Sequence, residues 1–499
     1  MFGYSIFKHE WTKSRFCCTV PNSKDYKVFV NGEDVPVYTC RISKYPFNTW
    51  WPGHQRPLDQ SQEVSYVNLV SDEDLHVEVE VLTKTDYKRV MLKPYSKEVS
   101  VQTGERISFT LSENGGYVLE LDDYHGLLYI FNQKPVTCEK PEDVTYYFGK
   151  GVHFPGKITL KSNESIYVDK DALVFGCIYA EDAENLRIYG NGIFDDSSEA
   201  RVFSHCYEPY TNGNLKFYDC KNVKIEGVGF MNSAIWCINL FHCFDVEIDG
   251  ISVFGQWRYN TDGIDIVNSQ RITVRNSFVH SFDDTITVKG IDRYAFEDNA
   301  DMLFENCVLW CDWGKTMEIG LETECDEYRN IVFRNNSLLR AGSTACDIQN
   351  GDRATVHDIL FENNSMELES FYTPEEIQRT QEQGYSKANE TAVARFLSIE
   401  NKRFRASYDA GRGDESGLGT PDFAGVHHVA VKGLRIYADR EIMEKYGTKC
   451  ARVKIGSVIP TTVYHDITVE DVILCGIKLE REDMEIKFEN CAEDVLTVK

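Results

Sequence analysis

The sequence predicts an all-β chain, with an N-terminal β-sandwich over about residues 1–140 and a right-handed parallel β-helix over about 141–499. Three observations carry this. Short alternating runs broken by turn residues fill the first part, a polar residue followed by apolar-x-apolar recurs through the rest, and the recurrence has the period of a solenoid.

The sandwich rests on Tyr26-Lys27-Val28-Phe29-Val30 before Asn31-Gly32, then on His76-Val77-Glu78-Val79-Glu80-Val81 and Tyr117-Val118-Leu119-Glu120-Leu121. Alternation with turns at that spacing reads as antiparallel strands packed face to face. The cassettes then run from Asn185-Leu186-Arg187-Ile188 and Asn222-Val223-Lys224-Ile225 to His428-Val429-Ala430-Val431 and Asp466-Ile467-Thr468-Val469. Their first apolar positions are 186, 223, 246, 272, 302, 331, 359, 429 and 467, mostly 23 to 30 residues apart. Gly and Asn corners make these coils of strands, and the LxxLxL scaffold of a leucine-rich horseshoe is missing. The 70-residue gap between 359 and 429 calls for an insertion at about 366–425, in which residues 374–381 read as helical.

A formal charge of −26 argues against DNA or RNA as a partner, because binding a polyphosphate depends on clustered Lys and Arg. With 42% hydrophobic and 12% aromatic residues the chain has ample surface to bury, so disorder is excluded. The start carries Lys8, His9, Glu10, Lys13 and Arg15 and lacks the apolar core of a secretory signal, and no segment approaches a membrane span. A soluble, cytoplasmic protein with no membrane partner is the expectation. Its sixteen cysteines sit mostly in apolar runs and are expected as buried free thiols. Cys17-Cys18 and Cys307 with Cys311 lack paired CxxC spacing, so no metal is expected.

A strand that follows each cassette places side chains in columns. Alternation sends Ile264, Ile266, Ile286, Val288, Met317, Ile319, Cys346 and Ile348 inward. Their neighbours form one outward column of Asn239, Asp265, Thr287, Glu318 and Asp347, a second of Lys289, Gly320 and Gln349, and a third at the strand start of Asp262, Asp284 and Lys315. Rungs of a parallel stack lie about 4.8 Å apart. Asp262, Asp284 and the adjoining Asp283 therefore share one small patch, where like charge must raise at least one carboxyl pKa. A divided pair of raised and ordinary carboxyls is what acid/base cleavage of a glycosidic bond needs. A solvated Asn/Asp corner is the bland alternative for any one of them; the conjunction across two coils favours the site.

Asn260-Thr261-Asp262-Gly263 followed by Asp283-Asp284, 21 residues beyond Asp262, resembles the NTD and DD motifs of glycoside hydrolase family 28, the polygalacturonases. It is similar also to family 49, the dextranases and isopullulanase, which add an N-terminal β-sandwich. These families invert configuration. The resemblance implies Asp283 as general acid, with Asp262 and Asp284 holding and deprotonating the attacking water, and it calls for no cofactor. Two departures stand out. Gly314-Lys315-Thr316 occupies the register of the family's GHG motif, with Lys315 in the histidine's place, and Asp347-Ile348-Gln349 aligns with the RIK motif that grips a substrate carboxylate. A cation pair has become an anion and an amide, so a neutral sugar is expected rather than pectin.

Lys315 reads equally as a salt bridge in a crowded acidic corner or as a substrate contact. Trp236, Trp257, Tyr259, Trp310 and Trp313 flank the patch, and Trp236 and Trp313 are the candidate platforms for sugar faces. Trp50-Trp51, Arg403 and Arg405 are weaker candidates, and a surface or core role is the default for His427-His428. The expected function is an inverting, exo-acting hydrolase of neutral oligosaccharides, with homo-oligomerisation open. A polygalacturonase-type hydrolase on uronic oligosaccharides, a polysaccharide lyase or glycosyl transferase of the same fold, and a non-catalytic glycan-binding β-helix are the alternatives.

Overall fold

The computed structural model describes residues 22–44, 58, 61–199, 201, 212–372, 393–401, 425–457 and 463–499, and the backbone of the short strands Ser5–Ile6, Glu376–Ile377 and Ser386–Lys387. Trp50-Trp51, Arg403 and Arg405 lie outside these residues.

Two facing sheets form first. Tyr26–Val30, Glu33–Val35, Leu75–Val81 and Ile107–Leu111 make one; Tyr38–Ser43, Ser61–Val70, Val90–Lys93, Gly115–Leu121 and Asp123–Gln133 make most of the other. Val28, Val77, Ile107, Leu119 and Ile130 fill the space between them. One pairing departs from the antiparallel expectation: Asp123–Gln133 runs parallel to Ser61–Val70. These two strands are not joined by a hairpin, since the chain visits the opposite sheet between them, and so hairpin geometry does not fix their sense.

From Tyr146 onward the chain coils through three parallel strand stacks. In the first, the apolar heads of the cassettes pair rung to rung: Leu186 with Val223, then Val246, Ile272, Met302, Ile331, Ile359, Val429 and Ile467. The polar residue before each head has a backbone reason. Asn185, Asn222, Asp245, Arg271, Asp301, Asn330, Asp358, His428 and Asp466 all have φ between 51 and 59°, the left-handed region that Asn and Asp tolerate best.

A short second strand, such as Ser252–Phe254 or Phe278–Ser281, precedes the one that carries the columns, so the latter is the third strand of each coil rather than the second. Within the stretch 366–425, Arg395–Asn401 is a full rung, paired with Thr344–Asn350 on one side and Arg452–Ser457 on the other. The expected insertion is thus divided by a rung. Glu376–Ile377 pairs with Ser386–Lys387 as a strand, which corrects the helical expectation there. Ile377 is the single aliphatic residue between 374 and 381, and a helix without an apolar face has nothing to pack against the core.

The sandwich seats on the second strand stack. Tyr66, Tyr129 and Phe131 pack with Phe254, Phe278 and Trp310, and a Cβ on Gly116 would meet the Phe278 ring at 2.3 Å. Lys93, wholly buried, lies 3.7 Å from Glu120 and 2.9 Å from Glu367 and also meets Glu369. An ammonium so placed is tolerated only because carboxylates surround it.

Candidate active site

The third strand stack carries the site. Its main column has the predicted register: Asn239 pairs with Asp265, Asp265 with Thr287, Thr287 with Glu318, and Glu318 with Asp347. Lys216 precedes it and Ser398 follows. Ile264, Ile266, Ile286, Val288, Met317, Ile319, Cys346 and Ile348 all face the core.

The second column holds only in part: Gly320 pairs with Gln349, but Lys289 leaves it. Pairing slips after Val288, so that Gly290 meets Thr323 and two extra residues enter the strand Lys315–Thr323. Lys289 consequently does not stack on Gly320. Its Nζ sits among four carboxylates, 3.4 Å from Asp262, 3.6 Å from Asp265, 3.3 Å from Asp284 and 3.8 Å from Glu322. Glu322, brought in by this slip, escaped the sequence reading, because strict alternation has no place for an irregularity.

Lys315 serves the neighbouring rung. Its backbone N–H donates to Oδ1 of Asp284 at 3.0 Å, and its Nζ lies 3.1 Å from Glu318 and 3.7 Å from Asp284. Gly314 lets this coil close down, since a Cβ there would lie 2.3 Å from Oδ1 of Asp284 and 2.7 Å from Oδ1 of Asp283. Asn260 donates to Asp283 at 3.1 Å, and Arg201 in turn holds Asn260 and the Tyr259 carbonyl. The Asn of the NTD motif therefore positions the first Asp of the DD pair.

Burial dominates the electrostatics. Burial and the Asp284 carboxylate push Asp283 up to about 7, against the two lysines. Burial alone would raise Asp284 too, but Lys315 and Lys289 outweigh it and hold its carboxyl well below the usual range. Burial, with Asp265 and Asp283 adding like charge, pushes Asp262 well up. Asp265 is raised by burial against the pull of Lys289. Glu318 is raised by burial and Asp284, against Lys315.

Several predicted contacts take other parts. Trp236 is closed to solvent, packs in a cluster with Tyr218, Phe241 and Tyr294, and lies 4.5 Å under the Lys289 ammonium, so it supports that lysine and offers no face to a sugar. A tryptophan next to a rung that turns inward is drawn into the core by its area. Asn239, also fully buried, donates to the carbonyls of Leu215 and Trp236. Gln349 donates to Asp347 at 2.8 Å. Trp310 is core. Trp313 is half-buried beside Tyr259 and Phe282, at 5.5 and 5.7 Å between ring centroids, and with Lys315 and Asp283 it lines the more open side of the patch.

A parallel β-helix with a buried aspartate cluster on one strand stack is the class that fold and site define. The family model of glycosyl hydrolases family 28 matches residues 142–399, and the chain belongs to this family. The chain is similar to an exopolygalacturonase of Cochliobolus carbonum, 25% identical over 32% of this chain and 37% of that protein. It is similar also to a polygalacturonase of Malus domestica, 24% identical over 42% of this chain and 46% of that one. The matched stretches thus span less than half of these relatives' length. Among solved structures, Dex49A from Penicillium minioluteum superposes with a TM-score of 0.63 at 12% identity, covering 99% of this chain and 98% of its own. That likeness shows that sandwich and β-helix together form a known architecture.

Proposed function

We propose that the protein hydrolyses glycosidic bonds with inversion, Asp283 giving its proton to the leaving oxygen while Asp262 and Asp284 hold a water on the other face of the sugar. The carrying observation is the division between two adjacent carboxyls, Asp283 raised to about 7 and Asp284 held ionised by two lysines. The raised group keeps a proton to give near neutral pH, and the lowered one is free to take the water's.

The substrate we infer is a neutral oligosaccharide. Asp262, Asp265, Asp283, Asp284, Glu318, Glu322 and Asp347 share the patch with Lys289 and Lys315, and both lysines already meet carboxylates. A uronate would bring another anion into this field, whereas hydroxyls of an uncharged ring find acceptors there. Trp313 and Tyr259 are part-exposed aromatic rings beside the patch among the described residues. Cleavage from a chain end belongs to the same reading and is in keeping with the exopolygalacturonase among the relatives. A second reading, hydrolysis of uronic oligosaccharides, draws on the polygalacturonase names of those relatives. Initial rates on a panel of neutral and galacturonic oligosaccharides separate the two: cleavage confined to uncharged members supports the first, and preferential cleavage of galacturonan fragments replaces it with the second.

A further inference from the structure

On the outer face of the cassette stack, away from the aspartates, His357 pairs with His427 and His427 with His465 on successive rungs. Their rings stack nearly parallel, with centroids 5.1 Å apart at 10° and 4.6 Å apart at 6°. The residue after each has left-handed backbone: Asp358 at φ 54°, His428 at 51° and Asp466 at 53°. Side chains of neighbouring residues in a regular strand point to opposite faces. The left-handed residue instead brings the second side chain beside the first, and Nδ1 of His428 lies 3.0 Å from Nδ1 of His427. The His428 ring stands at 83° to that of His427 and 88° to that of His465. One ring nitrogen from each of His427, His428 and His465 falls within 4.8 Å of the others.

We propose that His427, His428 and His465 form a binding site for a divalent transition-metal ion of the zinc or nickel class, separate from the catalytic patch. Three imidazole nitrogens suit zinc, nickel or copper, whereas calcium and magnesium prefer oxygen. Bonds of about 2.0–2.1 Å to each nitrogen require the rings to draw in by about an ångström, which the exposed His428 and half-exposed His465 are free to do. Carboxylates stand where ligating histidines usually find them. Asp466 lies 2.7 Å from Nδ1 of His465 and 3.4 Å from Nε2 of His428, and Asp358 lies 2.7 Å from Nδ1 of His357 and 3.7 Å from Nδ1 of His428. The ion would join Gly425–Lys432 to Val463–Glu470, two rungs near the C-terminal end of the coil, and so stabilise the folded state.

The test is calorimetric titration of the untagged, metal-stripped full chain with zinc and nickel salts, alongside thermal unfolding. The expected result is one saturable equivalent, weakened about tenfold or more in His427→Ala and in the exposed-site variant His428→Ala. Zinc should raise the unfolding temperature of the unmodified protein more than that of His428→Ala at the same concentration, while both hydrolyse substrate equally. Absence of saturable binding overturns the proposal. So does equal affinity in the unmodified protein and the His428→Ala, His465→Ala double variant, since the ion would then reside elsewhere, as at Cys177, Asp196 and Glu199.

Discussion

Asp283 and Asp284 are neighbours in sequence and both buried, yet Lys315 addresses only one of them directly: its N–H and its ammonium lie 3.0 and 3.7 Å from Oδ1 of Asp284. Asp283 instead accepts a neutral hydrogen bond from Asn260 at 3.1 Å. A cation favours the ionised form more than an amide donor does, so the two carboxyls are drawn apart. Lys315, which stands where the family's pattern has a histidine, is therefore part of what makes one aspartate an acid and the other a base.

Replacing Asp283 by Asn keeps the shape and the contact to Asn260 and removes the proton. Hydrolysis of a natural oligosaccharide should fall by roughly 10²–10⁴, and far less on an aryl glycoside whose leaving group needs no proton. Equal losses on the two substrates in steady-state assays would take the acid role away from Asp283.

The pH profile carries a sign. Asp283 must be protonated to act, so kcat/KM should decline as pH rises through about 7, by about tenfold per unit beyond it. Asp284 must be ionised, and its lowered pKa keeps that requirement met down to strongly acidic solution. Lys315→Met removes a cation that lowers both carboxyls, so both limits of the profile should move to higher pH, the acid limb set by Asp284 and the alkaline limb set by Asp283. A profile that Lys315→Met leaves unmoved contradicts this division of labour.

Gly314→Ala tests the closeness of the coils. The new methyl would sit 2.3 Å from Oδ1 of Asp284 and 2.6 Å from its backbone N, which forces the aspartate corner away. A displacement near 1 Å is enough to cost about 10²-fold in rate. Stability should drop by about 1–3 kcal/mol, as for overpacking elsewhere. Wild-type kcat in the purified variant would show that this contact does not set the acid's position.

The layout was legible because a coil repeats one local requirement. Each cassette needs a residue that tolerates left-handed backbone and then two inward apolar side chains, and Asn185-Leu186-Arg187-Ile188 or Asp245-Val246-Glu247-Ile248 state this in four letters. The same arithmetic put Asp265, Glu318 and Asp347 in one column. It failed wherever the pairing slips: Lys289 left its expected stack, and Glu322 entered the site unannounced. Trp236 was misplaced for a different reason, since sequence proximity to the aspartates does not say whether a large ring faces solvent or core. The histidine column at 357, 427 and 465 spans the 70-residue gap, so only the register of the coils brings it together.

Lys93 ties sandwich to β-helix. Replacing it by Met leaves Glu120 and Glu367 buried without their cation and Glu369 with Arg89 alone, and unfolding free energy should fall by about 3–5 kcal/mol. Urea unfolding of the variant measures this. Adding Glu367→Gln and Glu369→Gln should recover part of the loss, and a further decrease would show that these carboxylates serve the interface by some other contact.

The central claim is inverting hydrolysis by the Asp283–Asp284 pair. Proton NMR of the anomeric region, recorded in the first minutes on whichever neutral oligosaccharide the protein cleaves, tests it most directly. The account predicts that the first reducing sugar released has the anomeric configuration opposite to that of the bond cut, and mutarotates only later. Release of the retained anomer, or a vinylic signal from an unsaturated product, would contradict it.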